Sequence, residues 1–336
     1  MFEKYSITYG LYFLRKLVEW LSDANGNCQR VIYRNMKGTD GRKGILAAQL
    51  LIVLQSVVYG FGDPVSKIAF EVTPVYTMMS VRYLIAFITV FLIFRRRVVK
   101  TIRTVPVKAW LIPSLCIGMS YLLNNVALSL TEATSVAFLR SLSVVMTPLF
   151  AFLLYRSRYR WQHVLIQLLV LVGMYLLCVR GGLSGFGLGE VTALAAAALS
   201  AGTLVFSGKS LESVDPVGLT ALMAGVSAAL ASAGCLVFEG GPHLENTTSS
   251  AWAIILYLAI VCTFLGYLMQ NLALMRISDR SVALIQSLCP VMTAVFSFIM
   301  LGEKLSEAGL MGAAIIVVCV AASAVIPSER ESKAGA

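Results

Sequence analysis

The chain has 336 residues, of which 58% are hydrophobic and only 13% charged, with a formal net charge of +10. Soluble globular chains run about 45–50% apolar and about 25% charged, so the composition excludes an ordinary soluble domain and indicates a polytopic membrane protein. The positive charge sits in short loops between apolar runs, a distribution that orients membrane helices and argues against nucleic acid as a partner.

Residues 1–44 form a basic segment with eight Lys and Arg against four Asp and Glu. The run ITYGLYFLRKLVEWL within it is too short and interrupted to span a bilayer, which takes about 20 apolar residues, and fits a helix lying along the membrane surface. Translation from Met36 is an alternative start. From residue 45 the chain predicts ten apolar segments, at 45–68, 74–94, 109–130, 133–154, 161–180, 187–208, 214–238, 251–274, 280–301 and 307–326. In lipid every backbone polar group must bond internally, so these segments are helices, and short connections make sequential neighbours antiparallel. With a cytoplasmic N-terminus, 22 Lys and Arg fall in inner loops and tails and two, Arg180 and Lys304, in outer ones. That asymmetry predicts both termini in the cytoplasm of a bacterial inner-membrane protein.

Residues 121–152 and 267–298 align without a gap and share 15 of 32 residues. Tyr121 falls on Tyr267, Asn125 on Asn271, Arg140 on Gln286 and Val145-Met146-Thr147 on Val291-Met292-Thr293. A weaker match continues backward, with Gly60 on Gly202, Lys67 on Lys209 and Pro74-Val75 on Pro216-Val217. The predicted organisation is therefore a cytoplasmic segment (1–44), a five-helix repeat (45–180), an outer Gly-rich linker (181–189), a second five-helix repeat (190–326) and a cytoplasmic tail (327–336). Five crossings are odd, so the second repeat enters from the opposite side. The expected fold is all-α, with ten transmembrane helices as two inverted repeats, the architecture of secondary transporters.

The chain resembles the EamA family of the drug/metabolite transporter superfamily over residues 45–326. The resemblance rests on Asp63-Pro64-Val65-Ser66-Lys67, on Val81-Arg82-Tyr83-Leu84-Ile85-Ala86, and on Pro290 followed by Gly302-Glu303-Lys304. The first repeat departs from the pattern: Val144 stands in place of a proline, with Pro148 a turn later, and Arg156-Ser157-Arg158 in place of Gly-Glu-Lys. The resemblance implies a cation- or proton-linked carrier or facilitator of small metabolites, often an amino-acid exporter. It also implies a central cavity lined largely by the third, fourth, eighth and ninth helices.

Ionisable residues inside spanning segments are costly and point to function. Arg140 is a candidate contact for a substrate carboxylate or phosphate, because a guanidinium offers a planar fork of donors, and Arg82 is a candidate for either substrate contact or fold support. Asp63 would otherwise pair with Lys67 or Arg82 to make burial tolerable, while Lys67 reaches outward. Asp63 and Glu132 are the candidate coupling carboxylates. The polar positions Tyr121, Asn124, Asn125, Tyr267, Gln270, Asn271 and Gln286 complete the candidate substrate site, with interhelical bonding as the alternative role for the amides. The seven cysteines contain no C-x-x-C pair and the two histidines, His163 and His243, are far apart, so neither a metal nor a cofactor is expected. No catalytic set or nucleotide-binding loop can be assembled. The expectation is a transporter of small organic metabolites, an amino acid or related carboxylate, with export favoured. A vitamin or nucleotide-related carrier and a non-transporting scaffold are the alternatives, and a homodimer stays open.

Overall fold

The computed structural model describes residues 41–131, 133–155, 161–178, 187–245, 247–301 and 306–325. Among them the regular structure is entirely helical. In chain order the helices are α1 (Gly41–Phe70), α2 (Val75–Thr104), α3 (Val107–Leu130), α4 (Ala133–Ser141), α5 (Ser143–Tyr155), α6 (Trp161–Cys178), α7 (Leu188–Ser210), α8 (Pro216–Phe238), α9 (Ser249–Tyr257), α10 (Gly266–Leu274), α11 (Asp279–Gln286), α12 (Leu288–Leu301) and α13 (Glu307–Val325). A π-helical stretch, Leu258–Leu265, joins α9 to α10. Eight helical spans among the described residues are long and apolar enough to cross a membrane, and two shorter apolar helices, Val164–Leu176 and Glu307–Ala322, accompany them. The N-terminal segment before residue 41, Glu132, the linker residues 181–186, Gly302-Glu303-Lys304 and the tail from residue 326 lie outside the described residues.

Local chemistry sets the helix ends. Asp215 caps α8, its carboxylate accepting from Gly218 N at 3.0 Å, with Pro216 at the first helical position where its missing N–H costs nothing. Thr248 and Ser278 cap α9 and α11 in the same way. The predicted end of the second segment at residue 94 is corrected. α2 bends at Phe94 (φ −118°, ψ 27°) but runs on to Thr104, because Arg and Lys are good helix formers. It stops where Pro106 forces Val105 into extended conformation (φ −111°, ψ 137°).

Small residues let the helices approach closely. Ala193, Ala196, Ala197 and Ala201 of α7 are completely buried, and α7 packs along α3. Without a hydrophobic driving force between helices in lipid, such close contact is what associates them. The packing scheme has a regular form. α2 packs on α8, and α6 on α13. α7 packs against α3 and against the α4–α5 pair, while α1 packs against the π–α10 stretch and against α11–α12. Sequential neighbours touch less than these partners do, so the two halves interleave and the main core crosses between them.

Two predicted continuous helices are broken near their middles. The fourth segment breaks at Leu142 between α4 and α5, and the ninth at Ser287 between α11 and α12. In the 146-residue alignment these breaks fall one position apart. Pro290 follows the second break, but Val144 holds the matching place after the first, so a proline there is not required. Ser141 Oγ donates to Ala137 O (2.7 Å) and Ser287 Oγ to Leu284 O (2.6 Å), serving carbonyls at the turns.

Candidate functional site

α1 carries the polar face that builds the site. Gln55, Tyr59 and Asp63 are four residues apart and so lie along one side of the helix, spanning about 12 Å from first to last. α1 comes very close to α12: a Cβ on Gly60 would collide with Met292 Cβ and lie 2.8 Å from Thr293 N. Gly266, at the start of α10, gives Tyr59 the same close approach, since a Cβ there would sit 2.6 Å from the Tyr59 hydroxyl.

Beside this face lies a cavity of about 70 Å³. Its walls are Ser56 and Tyr59 of α1, Ser120, Tyr121 and Asn124 of α3, Arg140 and Ser141 at the end of α4, and Ser143 and Val144 of α5. Ser200 and Thr203 of α7, Gln270 of α10, Gln286 of α11, Ser287 at the break, Cys289 and Pro290 of α12, and the apolar Ile117 of α3 and Ala283 of α11 complete it. A second chamber of about 20 Å³ is lined by Asp63, Ser66, Arg82, Asn125 and Cys262, and shares Tyr59, Tyr121, Asn124 and Arg140 with the first. The rings of Tyr59 and Tyr121 meet edge to face at 6.2 Å where the chambers adjoin. The family pattern anticipated the third, fourth, eighth and ninth membrane helices as lining, and the structure adds α1, α2 and α7.

Opposite kinds of polar contact stand at the two chambers. On the larger one, Gln286 Nε2 donates to Gln55 Oε1 and to Gln270 Oε1, both at 2.9 Å, and Gln55 Nε2 donates to Gly266 O at 2.8 Å. These three amides tie α1, α10 and α11 together with no net charge. On the smaller one, Arg140 Nη2 contacts Asp63 Oδ2 at 3.2 Å, which joins α4 to α1. Thr293 Oγ1 of α12 donates to the same carboxylate oxygen at 3.3 Å, and Arg140 Nη2 also approaches Cys289 Sγ at 3.1 Å. A guanidinium has five donors. Only Nη2 of Arg140 meets an acceptor among the described residues.

Arg82 is 5% exposed. Its Nε donates to Thr263 Oγ1 at 2.8 Å, inside the π-helical stretch, and its guanidinium lies 5.5 Å from the Tyr83 ring centre. The wide π turn positions Thr263 for this contact, its hydroxyl also donating to Leu258 O five residues back.

The structure gathers most of the sequence-predicted residues and sets some aside. Arg140, Tyr121 and Asn124 border both chambers, Gln270 and Gln286 the larger, and Asp63, Arg82 and Asn125 the smaller. Asp63 pairs with Arg140 rather than with Lys67 or Arg82, because α4 brings its C-terminal end against α1 while Lys67, one turn further on, is exposed. Tyr267 is buried against Tyr121, ring centres 5.9 Å apart, and borders neither chamber. Asn271 points into the α8 contact, donating to Thr220 Oγ1 at 3.0 Å, so it supports packing and not the cavity. Glu132 lies outside the described residues. Gln55, Ser56, Tyr59, Cys289 and Thr293 escaped the sequence reasoning, although the four-residue spacing of Gln55, Tyr59 and Asp63 was a visible signal.

A bundle of apolar spans around a buried chamber of amides, hydroxyls and one ion pair defines a multi-pass membrane protein with a polar interior. Residues 46–179 and 187–325 each match the EamA-like transporter family, and the chain belongs to that family. It is 28% identical over 292 residues to an uncharacterized transporter from Archaeoglobus fulgidus, covering 85% of this chain and 89% of that protein. A solved crystal structure of 20% identity superposes with a TM-score of 0.71, covering 83% of this chain and 97% of its own, a likeness of fold.

Proposed function

We propose that this protein is a secondary transporter that moves a small organic metabolite with a carboxylate, an amino acid or a related acid, by alternating access between two inverted five-helix repeats. The repeats are residues 45–180 and 190–326, giving ten crossings of a bacterial inner membrane with both termini in the cytoplasm. Family membership, the twofold match of the family model and the exchange pattern of helix packing support the repeats. The Lys and Arg asymmetry of the loops supports the orientation. Export is favoured by the family resemblance and not by any feature of the cavity.

The observation that carries the substrate class is Arg140. It lies in the last turn of a broken helix, borders both chambers, holds one carboxylate through a single nitrogen, and has donors left over. A substrate carboxylate can take the open side of the fork or displace Asp63, which then needs a proton or a substrate ammonium as its counter-charge. The larger chamber has room for on the order of five waters, so holding an organic solute requires it to widen. That requirement couples binding to movement of the helices tied by the Asp63 and Gln286 contacts. The test is flux of carboxylate-bearing solutes in proteoliposomes. Arg140→Ala should slow it by at least tenfold, with Arg140→Lys intermediate. Unchanged flux of every carboxylate in Arg140→Ala would remove the anion site, and no solute-dependent flux in the unsubstituted protein would remove transport itself.

A further inference from the structure

The end of α2 beyond its bend carries a second charged site, far along the chain from the cavity residues. Past Phe94 the helix reads RRRVVKTIRT before Pro106 stops it. One face of this stretch is docked. Val98 and Thr101 are buried, and Arg97 Nη1 lies 3.6 Å from Asp215 Oδ1, the residue that caps α8. Thr101 also packs onto Gly218 in the first turn of α8, where a Cβ would run into its hydroxyl. Docking of residues 97, 98 and 101 fixes the rotation of the helix, and so fixes what the opposite face presents.

That opposite face is a cationic stripe. Arg96, Lys100 and Arg103 follow at spacings of four and three, which places them on one line down the helix over about 10 Å. All three are exposed, and none has an ion-pair partner among the described residues. Arg95 is exposed next to the stripe, and Ile102 and Val107, 46% and 54% exposed, supply apolar surface beside it. α2 has 30 residues. At about 1.5 Å per residue that is about 45 Å, against a hydrocarbon core of about 30 Å, so the stripe emerges at headgroup depth. A soluble anion would call for convergent donors in a pocket. A linear row of long, flexible cations flanked by exposed aliphatic side chains fits phosphates held in a plane above acyl chains.

We propose that Arg96, Lys100 and Arg103 form a binding site for the headgroup of an anionic phospholipid. Through Arg97, Asp215 and Thr101 the occupied stripe holds the α2–α8 contact, where the two halves of the chain meet.

The test uses the full chain in nanodiscs of phosphatidylcholine alone or with 20–30% (roughly) phosphatidylglycerol, a fraction chosen to keep the cationic face saturated. Lipid retention is read by native mass spectrometry and the α2–α8 contact by thermal unfolding. At about tenfold per 1.4 kcal/mol and about 1 kcal/mol per cation near an anionic surface, removing three cations predicts a loss of preference on the order of 100-fold. The unsubstituted protein should retain phosphatidylglycerol over phosphatidylcholine and melt at higher temperature with it. R96Q/K100Q/R103Q should lose both effects, and R96K/R103K should keep them. Melting of the triple variant in phosphatidylcholine at the temperature of the unsubstituted protein shows that the loss is of lipid and not of fold. Three results would overturn the proposal: no preference in the unsubstituted protein, full preference in the triple variant, or millimolar inorganic phosphate reproducing the stabilisation without the lipid.

Discussion

Asp63→Asn and Arg140→Gln, made singly and together, interrogate the contact on which the cavity depends. At the observed separation of 3.2 Å the charges attract by about 5 kcal/mol if the effective dielectric constant is about 20. Both side chains keep about one-fifth of their surface exposed, 19% for Arg140 and 22% for Asp63, so solvent screening lowers that value. Desolvation of both groups lowers the net worth of the pair further, but breaking it from one side leaves a charge without its partner. Each single variant should therefore lose about 2–3 kcal/mol. Asp63→Asn leaves the Arg140 guanidinium facing a neutral amide and the Cys289 thiol. Arg140→Gln leaves Asp63 with the Thr293 hydroxyl alone. The double variant removes both charges and should recover about 2 kcal/mol relative to the sum of the singles. Equilibrium unfolding of the purified protein, followed by its helical signal as denaturing detergent replaces mild detergent, measures all four members of the cycle. Strict additivity would show that the two charges do not interact, and the account of Arg140 as a fork shared between Asp63 and a substrate would fall with it.

Four other outcomes follow from the local surroundings of particular residues. Gly60→Ala should cost about 1–3 kcal/mol by forcing α1 away from the Met292–Thr293 backbone. Gly208→Ala, where an added Cβ meets nothing within 4 Å, should be neutral or stabilising by up to about 1 kcal/mol, and thermal melting compares the two. Gln286→Leu should cost about 1–3 kcal/mol, because Gln55 Oε1 and Gln270 Oε1 both lose a 2.9 Å donor. Glu239→Ala should destabilise by a similar amount without changing substrate affinity in equilibrium binding. Its carboxylate accepts from Tyr76 N, Thr77 N and Thr77 Oγ1 at 2.7–2.8 Å, capping α2 from the end of α8 and far in sequence from either chamber.

Much of the fold was legible in the sequence, because a bilayer leaves few options. Apolar length located the spans, and the duplicated stretch announced two related halves. What hydropathy cannot show is a helix that changes character without changing polarity. The break at Leu142 sits in the apolar run FLRSLSVVMTPLF, and the π stretch in LAIVCTFL, neither of which contains a helix-breaking residue at the point of departure. The far end of α2 was missed for the opposite reason, since a polar continuation of a helix looks like a loop when length is judged by apolar residues. In the site, charged and duplicated positions were found and the unduplicated amide and phenol of α1 were not. Gln55 and Tyr59 have no polar counterpart in the second half, so a search built on the repeat passes over them. Asn271 takes the alternative role of the amides, interhelical bonding. It was chosen because it repeats Asn125, yet its amide serves the α8 contact while Asn125 borders a chamber.

The disagreements between the halves explain how a duplicated scaffold makes a single site. At the 142-residue offset that aligns the first helices, Gln55, Tyr59 and Asp63 of α1 fall on Ala197, Ala201 and Val205 of α7. α7 uses its small residues to sit against α3, whereas on α1 Tyr59 and Asp63 line the chambers and Gln55 bonds the amides of α10 and α11. The broken helices differ likewise: Arg140 is the next-to-last residue of α4 and Gln286 the last of α11. Both residues reach the same helix, α1, about 12 Å apart along its length. One contact is an ion pair, and the other is a neutral amide cluster. Under the proposed function a substrate carboxylate would compete for the first and leave the second unchanged, so the two breaks would answer a charged solute differently.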